Sequence, residues 1–413
     1  MSRPRRYLKD GDLVRCRPVN VVWELTLACD LKCVHCGSRA GHARPSELNT
    51  AECLALVQQL ADLGAREVAL IGGEAYLRPD WTEIVRAIRK LGMDCSLQTG
   101  GRNLTEKRIA AAAAAGLQGA GVSIDGLAPL HDYLRGVAGS FDKAILALRR
   151  LKAHGIVTSV NTQITAPVVD QLDALFEEIL GAGVSSWQIA LTVPMGRAAD
   201  RPDLLLQPYQ LLDLMPRLAE IHRRGYDRGL ILQPSNNIGY FGPFESLWRC
   251  SDDSSVYFSG CNAGQNLIGI EADGSIKGCP GLPGDYIGGN VRVTPLREIW
   301  ESSQQLGFTR QRTSDELWGF CRDCYYADVC LGGCTWMAHT LLGRRGNNPY
   351  CHHRTLQLAE RGLRERVAKT REAPGRPFDY GQFELIVEPL DAPAAPSHAQ
   401  PSHPVEPLLR VLK

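Results

Sequence analysis

Cys29-Asp30-Leu31-Lys32-Cys33-Val34-His35-Cys36 is the stretch on which the reading of this chain turns. It follows directly on an apolar run, residues 19–28, that reads as a β-strand. The spacing is C-x3-C-x2-C. Three thiolates so placed can hold three irons of a [4Fe–4S] cluster and leave the fourth iron open. An open iron can chelate the amine and carboxylate of a substrate. Structural zinc is the competing reading. Zinc wants four ligands in paired C-x2-C units, and His35, the one extra donor, lies between two of the cysteines where its geometry is poor.

Outward from this stretch, apolar runs alternate with segments of helical period. Strands are expected over residues 66–71, 93–98, 117–124, 156–164 and 184–193. Helices are expected over 51–63, 80–91, 105–115, 141–154, 168–180 and 208–227. Repeated βα units imply a parallel sheet with helices outside. About six units are present, short of the eight that close a full barrel, so an open (β/α)6 partial barrel is expected, with its site at the C-terminal strand ends.

Polar residues cluster at those ends. Gly72-Gly73-Glu74 follows the second strand: the glycines permit close backbone approach, and the carboxylate can accept from a cationic amine. Ser123 and Asp125 end the fourth strand and can hydrogen-bond hydroxyls, while Arg135 can fork a carboxylate. The bland reading makes Asp125 a turn residue and Arg135 a surface charge. Gln98, Thr99, Asn161 and Gln163 are further strand-end candidates.

From residue 236 the periodicity fades and glycine and cysteine rise. Cys321-x2-Cys324-x5-Cys330-x3-Cys334 is followed by Cys351 and preceded by Cys250, Cys261 and Cys279. Clustered cysteines in a chain without a secretory signal argue for metal rather than disulfides. Cys53 and Cys95 lie in apolar periodic segments and read as core thiols. Residues 353–373 are expected to form a C-terminal helix, and 374–413 a disordered tail rich in Pro, Ala, Ser and His.

Composition removes several function classes. Lys+Arg 46 against Asp+Glu 45 leaves no basic footprint for nucleic acid or an anionic membrane. No stretch has the roughly 18 consecutive apolar residues of a membrane span. Arg5-Arg6 faintly resembles a twin-arginine signal, but Asp10, Asp12, Arg15 and Arg17 interrupt the apolar region that would have to follow, so a cytoplasmic location is expected.

Taken together, these motifs resemble the radical S-adenosylmethionine (radical SAM) superfamily over residues 18–235 and its SPASM domain over 236–352, with a short N-terminal arm, 1–17, before them. The resemblance implies S-adenosylmethionine as cofactor and three [4Fe–4S] clusters, one binding S-adenosylmethionine and two auxiliary. It implies the first cluster on Cys29, Cys33 and Cys36, the methionyl amine on the Gly72-Gly73-Glu74 loop, and ribose and carboxylate contacts from Ser123, Asp125 and Arg135. His35 stands where the family usually has an aromatic residue and is expected to pack over adenine. Cys321, Cys324, Cys330 and Cys351 resemble ligands of the outer auxiliary cluster. Cys261, Cys279 and Cys334 resemble ligands of the inner one, with Cys250 a candidate fourth. His352 and His353 are expected beside the outer cluster or on the surface rather than as ligands.

The resemblance also implies the chemistry: reductive cleavage of S-adenosylmethionine to a 5′-deoxyadenosyl radical that abstracts hydrogen from a substrate. The auxiliary clusters would carry the substrate's electron away. Family members with this pair of domains often mature ribosomal peptides by crosslinking, epimerisation or oxidation. A short precursor peptide is therefore the expected substrate, with a flavodoxin or ferredoxin as electron donor. About twenty residues precede the first strand, so leader binding is expected on the barrel face, the tail or a separate leader-binding protein. A small-molecule dehydrogenase or tetrapyrrole-type enzyme is the alternative. Sulfatase-maturing members carry an aspartate after the second inner cysteine; this chain has Pro280. The sequence leaves the acid–base group open among Asp285, Tyr240 and Tyr286.

Overall fold

The computed structural model describes residues 9, 11–249 and 257–393. Strands β1 (Asn20–Glu24), β2 (Glu67–Ile71), β3 (Asp94–Thr99), β4 (Gly119–Ser123), β5 (Val157–Ile164), β6 (Ser186–Leu191) and β7 (Ile231–Pro234) lie side by side in chain order, all parallel. Between them run helices α1 (Thr50–Leu63), α2 (Trp81–Lys90), α3 (Glu106–Ala115), α4 (Ala128–Arg135), α5 (Ser140–Ala153), α6 (Leu172–Gly181) and α7 (Leu211–Asp227).

Local chemistry sets these elements. Helix α1 opens with a capping box, in which the Asn49 side chain accepts from Glu52 N and Glu52 returns the bond to Asn49 N, and it closes on Gly64 in the left-handed region. Along β5, Thr158, Val160, Thr162 and Ile164 are buried while Ser159, Asn161 and Gln163 are only half-buried. The buried set packs under the helices. The alternate set faces the lumen of the open barrel.

The structure adds two elements to the expected partial barrel. Helix α4 follows Leu127 and carries Pro129 near its start and Gly136 at its end, a start-and-stop pair visible in the sequence. Strand β7 is four residues ending in Pro234, too short to stand out by periodicity.

The expected second segment is not separate from the barrel sheet. Strand β8 (Leu267–Ile270) pairs parallel with β1, and β9 (Ser275–Lys277) and β10 (Gly289–Asn290) extend the sheet antiparallel. The order is therefore β10-β9-β8-β1-β2-β3-β4-β5-β6-β7. Ile268, Ile270, Ile276, Leu296 and Ile299 join the same buried core as the barrel. The segment thus covers the β1 edge that an unclosed barrel would leave unpaired.

The expected C-terminal helix over 353–373 is half helix and half strand. Helices α8 (Thr335–Leu342) and α9 (His352–Ala359) precede Gly362, and β11 (Leu363–Arg371) then pairs antiparallel with β12 (Gln382–Pro389). The expected tail from 374 is likewise ordered through residue 393, because β12 is the partner of β11; residues 394–413 lie outside the described residues. Leu363 and Val367 suit a helix stripe as well as a strand, and the pairing that decides between them is non-local. No helix of the described residues is long and apolar enough to cross a membrane.

Candidate active site

The loop after β1 forms the rim of the barrel mouth. Cys29 N donates to Gly41 O at 3.1 Å and Gly41 N to Leu27 O at 2.9 Å, closing residues 29–41 into a compact loop. That loop is strapped to α4 by Lys32 N to Arg135 O at 3.0 Å and Val34 N to Leu134 O at 2.9 Å. Arg197, from the loop after β6, donates through Nε to Cys33 O at 2.6 Å.

The three thiols converge. Burial, then the Glu74 carboxylate, then Cys33 and Cys36 push the Cys29 thiol up to about 12. Burial also raises Cys33, with Cys36 adding to it and Arg135 opposing.

Glycine at 72 and 73 is required by the chain itself. A Cβ at Gly72 would stand 2.2 Å from Thr26 O, and one at Gly73 2.1 Å from Ala28 O. The two glycines let the end of β2 press onto the strand leading to Cys29, where Gly73 N donates to Thr26 O at 2.7 Å and Glu74 N to Ala28 O at 2.8 Å. Glu74 is thereby fixed beside Cys29.

Glu74 is buried. Its carboxylate accepts from Thr99 Oγ1 at 2.5 Å and Gly100 N at 2.7 Å. Burial still pushes it up to about 8, because those hydrogen bonds only partly offset desolvation. Donor atoms of Cys29, Asp30 and Glu74 lie within 4.8 Å of one another. One thiol and two carboxyls thus meet at the barrel mouth, where Asp30 accepts from Tyr76 Oη and Asn103 Nδ2.

Asp125, Arg135 and His35 are committed first to one another. Asp125 Oδ2 stands 2.6 Å from Arg135 Nη2 and 2.9 Å from His35 Nε2, and Asp125 Oδ1 accepts from Gln163 N at 2.8 Å. Burial opposes ionisation of Asp125, but Arg135 and His35 hold its carboxyl well below the usual range. Arg135 Nη1 also reaches Cys33 Sγ at 3.7 Å. Two nitrogens of this cluster, Arg135 Nε, a donor, and His35 Nδ1, the acceptor of a neutral ring whose Nε2–H faces Asp125, are buried without a hydrogen-bond partner among the described residues. Buried orphan polar atoms fit a ligand that brings their partners. Ser123 is half-buried at the end of β4. Thr99 is taken up by Glu74, and the Gln98 and Asn161 amides bond each other across Gly121, where a Cβ would stand 2.1 Å from Gln98 Oε1.

The C-terminal cysteines form two further groups. Cys321, Cys324, Cys330 and Cys351 line one cavity with Tyr240, Tyr326, His353 and Arg354. His352 instead stacks on Phe244. Cys261, Cys279 and Cys334 form the second group: burial, then Cys261 and also Cys279, raise the Cys334 thiol. Cys250 lies outside the described residues. No disulfide links the described cysteines, and Cys53 and Cys95 are buried in the core as expected.

Of the three acid–base candidates, Tyr240 is fully occupied: its hydroxyl donates to Asn236 O at 2.6 Å and accepts from Cys334 N at 3.2 Å. Asp285 and Tyr286 are brought together with His339 and Tyr380, two residues the sequence reading missed. His339 lies five residues past Cys334 without a motif, and Tyr380 falls in the segment read as tail.

Comparison with known proteins agrees with this geometry. The radical SAM superfamily profile matches residues 23–180, and an iron–sulfur cluster-binding domain, SPASM, matches 261–325. The chain is 31% identical over 375 residues to an AdoMet-dependent heme synthase of Oleidesulfovibrio alaskensis, spanning 85% of this chain and 90% of that protein. It is 30% identical over 321 residues to the mycofactocin maturase MftC of Mycolicibacterium smegmatis, spanning 77% and 78%. Among solved structures, anSMEcpe with bound AdoMet and Cp18Cys peptide superposes with a TM-score of 0.65 at 18% identity, covering 82% of this chain and 94% of that one. Streptococcus suis SuiB bound to precursor peptide SuiA gives 0.61 at 18%, covering 79% and 74%.

Proposed function

Because the chain belongs to the radical SAM superfamily, in the branch that carries a SPASM domain, we propose that it modifies a residue of a ribosomally made peptide, by crosslinking, oxidation or epimerisation. Cys29, Cys33 and Cys36 hold the cluster that binds S-adenosylmethionine, and Glu74 takes the methionyl amine. Arg135 Nε donates to its carboxylate side and His35 Nδ1 accepts from a ribose hydroxyl, Ser123 adding a hydroxyl. Cys321, Cys324, Cys330 and Cys351 hold one auxiliary cluster. Cys261, Cys279 and Cys334 hold the other, with Cys250 as candidate fourth ligand. When bound, the cluster on Cys29, Cys33 and Cys36 would supply the electron that cleaves S-adenosylmethionine to a 5′-deoxyadenosyl radical. The chain's own part is to orient the amine, shield the mouth and present the substrate carbon.

The observation that carries the peptide reading is the barrel lumen. The lumen-facing positions include Gln98, Ser123, Asn161, Gln163, Gln188 and Gln233, and strands β1–β7 contain no lysine or arginine. Neutral amides and hydroxyls match peptide groups, which donate and accept in turn. A tetrapyrrole bearing several carboxylates would call for cations there. The maturase relatives, and the peptides seated in two proteins of this fold, support the same reading. The heme synthase relatives favour a second reading, an iron tetrapyrrole substrate.

The test is anaerobic incubation of the iron–sulfur-replete protein, S-adenosylmethionine and a reductant with the peptide of the short open reading frame nearest its gene. A loss of about 2 mass units per event is the expected result for crosslinking or oxidation. Unchanged mass in ordinary water with deuterium gained in heavy water identifies epimerisation. An unaltered peptide beside a chemically altered iron tetrapyrrole would replace this reading with the second.

A further inference from the structure

Four side chains outside the radical site form one unbroken line. Tyr286 OH lies 3.0 Å from His339 Nδ1, His339 Nε2 lies 3.0 Å from Tyr380 OH, and Tyr380 OH donates to Asp285 Oδ2 at 2.9 Å. The inner end is buried: Tyr286 packs with Ala263 and Leu282 against Cys261 and Cys279. The outer end is open, with the Asp285 side chain 65% exposed. Tyr380 also borders the barrel mouth: it forms a β-bridge with Met195, and Gly196 N donates to Asp379 O at 2.8 Å.

The line has a direction. The Asp285 carboxylate is an acceptor only, so the Tyr380 proton points at it. Tyr380 oxygen then accepts from His339 Nε2–H, which leaves Nδ1 bare to accept the Tyr286 proton. The Arg345 guanidinium faces the Tyr286 hydroxyl from the other side and, being a donor only, keeps that proton turned toward His339. Every donor meets an acceptor, in one sense, from the inner cysteine group to solvent. Burial lowers the His339 pKa against the opposing pull of Asp285, the direction that this order requires.

We propose that Tyr286, His339, Tyr380 and Asp285 are a proton exit path for substrate oxidation, leading from the inner cysteine pocket to water. The inference rests on the oxidative peptide reading above. The substrate carbon gives a hydrogen atom to the 5′-deoxyadenosyl radical. The resulting substrate radical then gives one electron to an oxidant of the iron–sulfur class, and one proton must leave as the new bond forms. That proton joins the Tyr286 oxygen as the Tyr286 proton passes to His339 Nδ1. The Nε2 proton passes to Tyr380, and the Tyr380 proton passes to Asp285 and then water. Only Asp285 changes charge at the end of the transfer.

The test compares product formed per 5′-deoxyadenosine in wild type, His339→Gln and Tyr380→Phe, all matched for iron content and absorption spectrum. Glutamine keeps a donor and an acceptor at position 339 but does not relay a proton. In His339→Gln the ratio is expected to fall at least about 10-fold while 5′-deoxyadenosine formation stays within about 2-fold. Tyr380→Phe is expected to lose less, because His339 Nε2 stands 3.5 Å from Asp285 directly. Added imidazole is expected to restore the ratio in His339→Gly. An unchanged ratio in His339→Gln, or no rescue of His339→Gly together with an unchanged ratio in Tyr380→Phe, overturns the path. If the wild type cleaves S-adenosylmethionine but converts no peptide, the substrate reading has failed separately. The path is then judged by photoreduction of the clusters: a solvent deuterium effect on its rate in wild type that His339→Gln abolishes supports it, and no effect in wild type overturns it.

Discussion

Replacing Glu74 by glutamine is expected to weaken S-adenosylmethionine binding by about 100-fold while stabilising the cluster-free chain at alkaline pH. Both effects come from one feature, a buried carboxylate that no ion pair among the described residues reaches. In the complex, the substrate ammonium would supply the missing charge, and glutamine removes that attraction. In the free chain, the folded pKa stands at about 8 against an ordinary value of 4.5. Below 4.5 the group is neutral in both states and costs nothing. As pH rises toward about 8 the folded state holds a proton that the unfolded state has released, so stability falls, and above about 8 the penalty is constant. Glutamine removes that slope, a gain of about 2–5 kcal/mol at pH 8.5. Equilibrium dialysis on the reconstituted protein measures the first effect. Melting of the cluster-free chain at pH 5.5 and 8.5 measures the second. Equal affinity in both proteins would remove Glu74 from the binding site.

Replacing Arg354 by methionine is expected to cost about 3–5 kcal/mol and to lower the iron content of the C-terminal region. Arg354 is 2% exposed and forks Glu365 on β11 at 2.7 and 2.6 Å. The same guanidinium bonds Asn347 and reaches Cys321 Sγ at 4.0 Å. One cation therefore ties α9, the C-terminal hairpin and the outer cysteine cavity together. Removing it strands Glu365, itself 5% exposed, without a partner. It also removes the charge that opposes the burial-driven rise of the Cys321 thiol. The double variant Arg354→Met, Glu365→Leu is expected to recover most of the stability but not the iron, as read by thermal melting and iron analysis. Recovery of neither would mean that Arg354 acts through packing alone.

What the sequence made legible were features whose partners are near in the chain or fixed by composition. The C-x3-C-x2-C stretch, the Gly-Gly-Glu turn and the two later cysteine groups could be read from spacing, and the strands as apolar runs between segments of helical period. What escaped depends on distant elements meeting. Asp125 and Arg135 read as free ligands, yet they face each other because α4 turns back over the loop carrying His35. The two glycines read as clearance for a ligand, and the clearance they give the backbone at Thr26 and Ala28 was not legible. Residues 363–371 read as helix, and the pairing with 382–389 overturns that reading. With that strand went Tyr380, and so the connection between the barrel mouth and His339.

If Cys29, Cys33 and Cys36 hold the cluster on which S-adenosylmethionine is cleaved, 5′-deoxyadenosine should form anaerobically from S-adenosylmethionine and dithionite on the reconstituted wild type and not on Cys33→Ala. Steady 5′-deoxyadenosine and methionine are expected from wild type, and none above background from Cys33→Ala, which keeps its C-terminal iron. Equal formation by both proteins, or none by an iron-replete wild type, would contradict that role of the three cysteines.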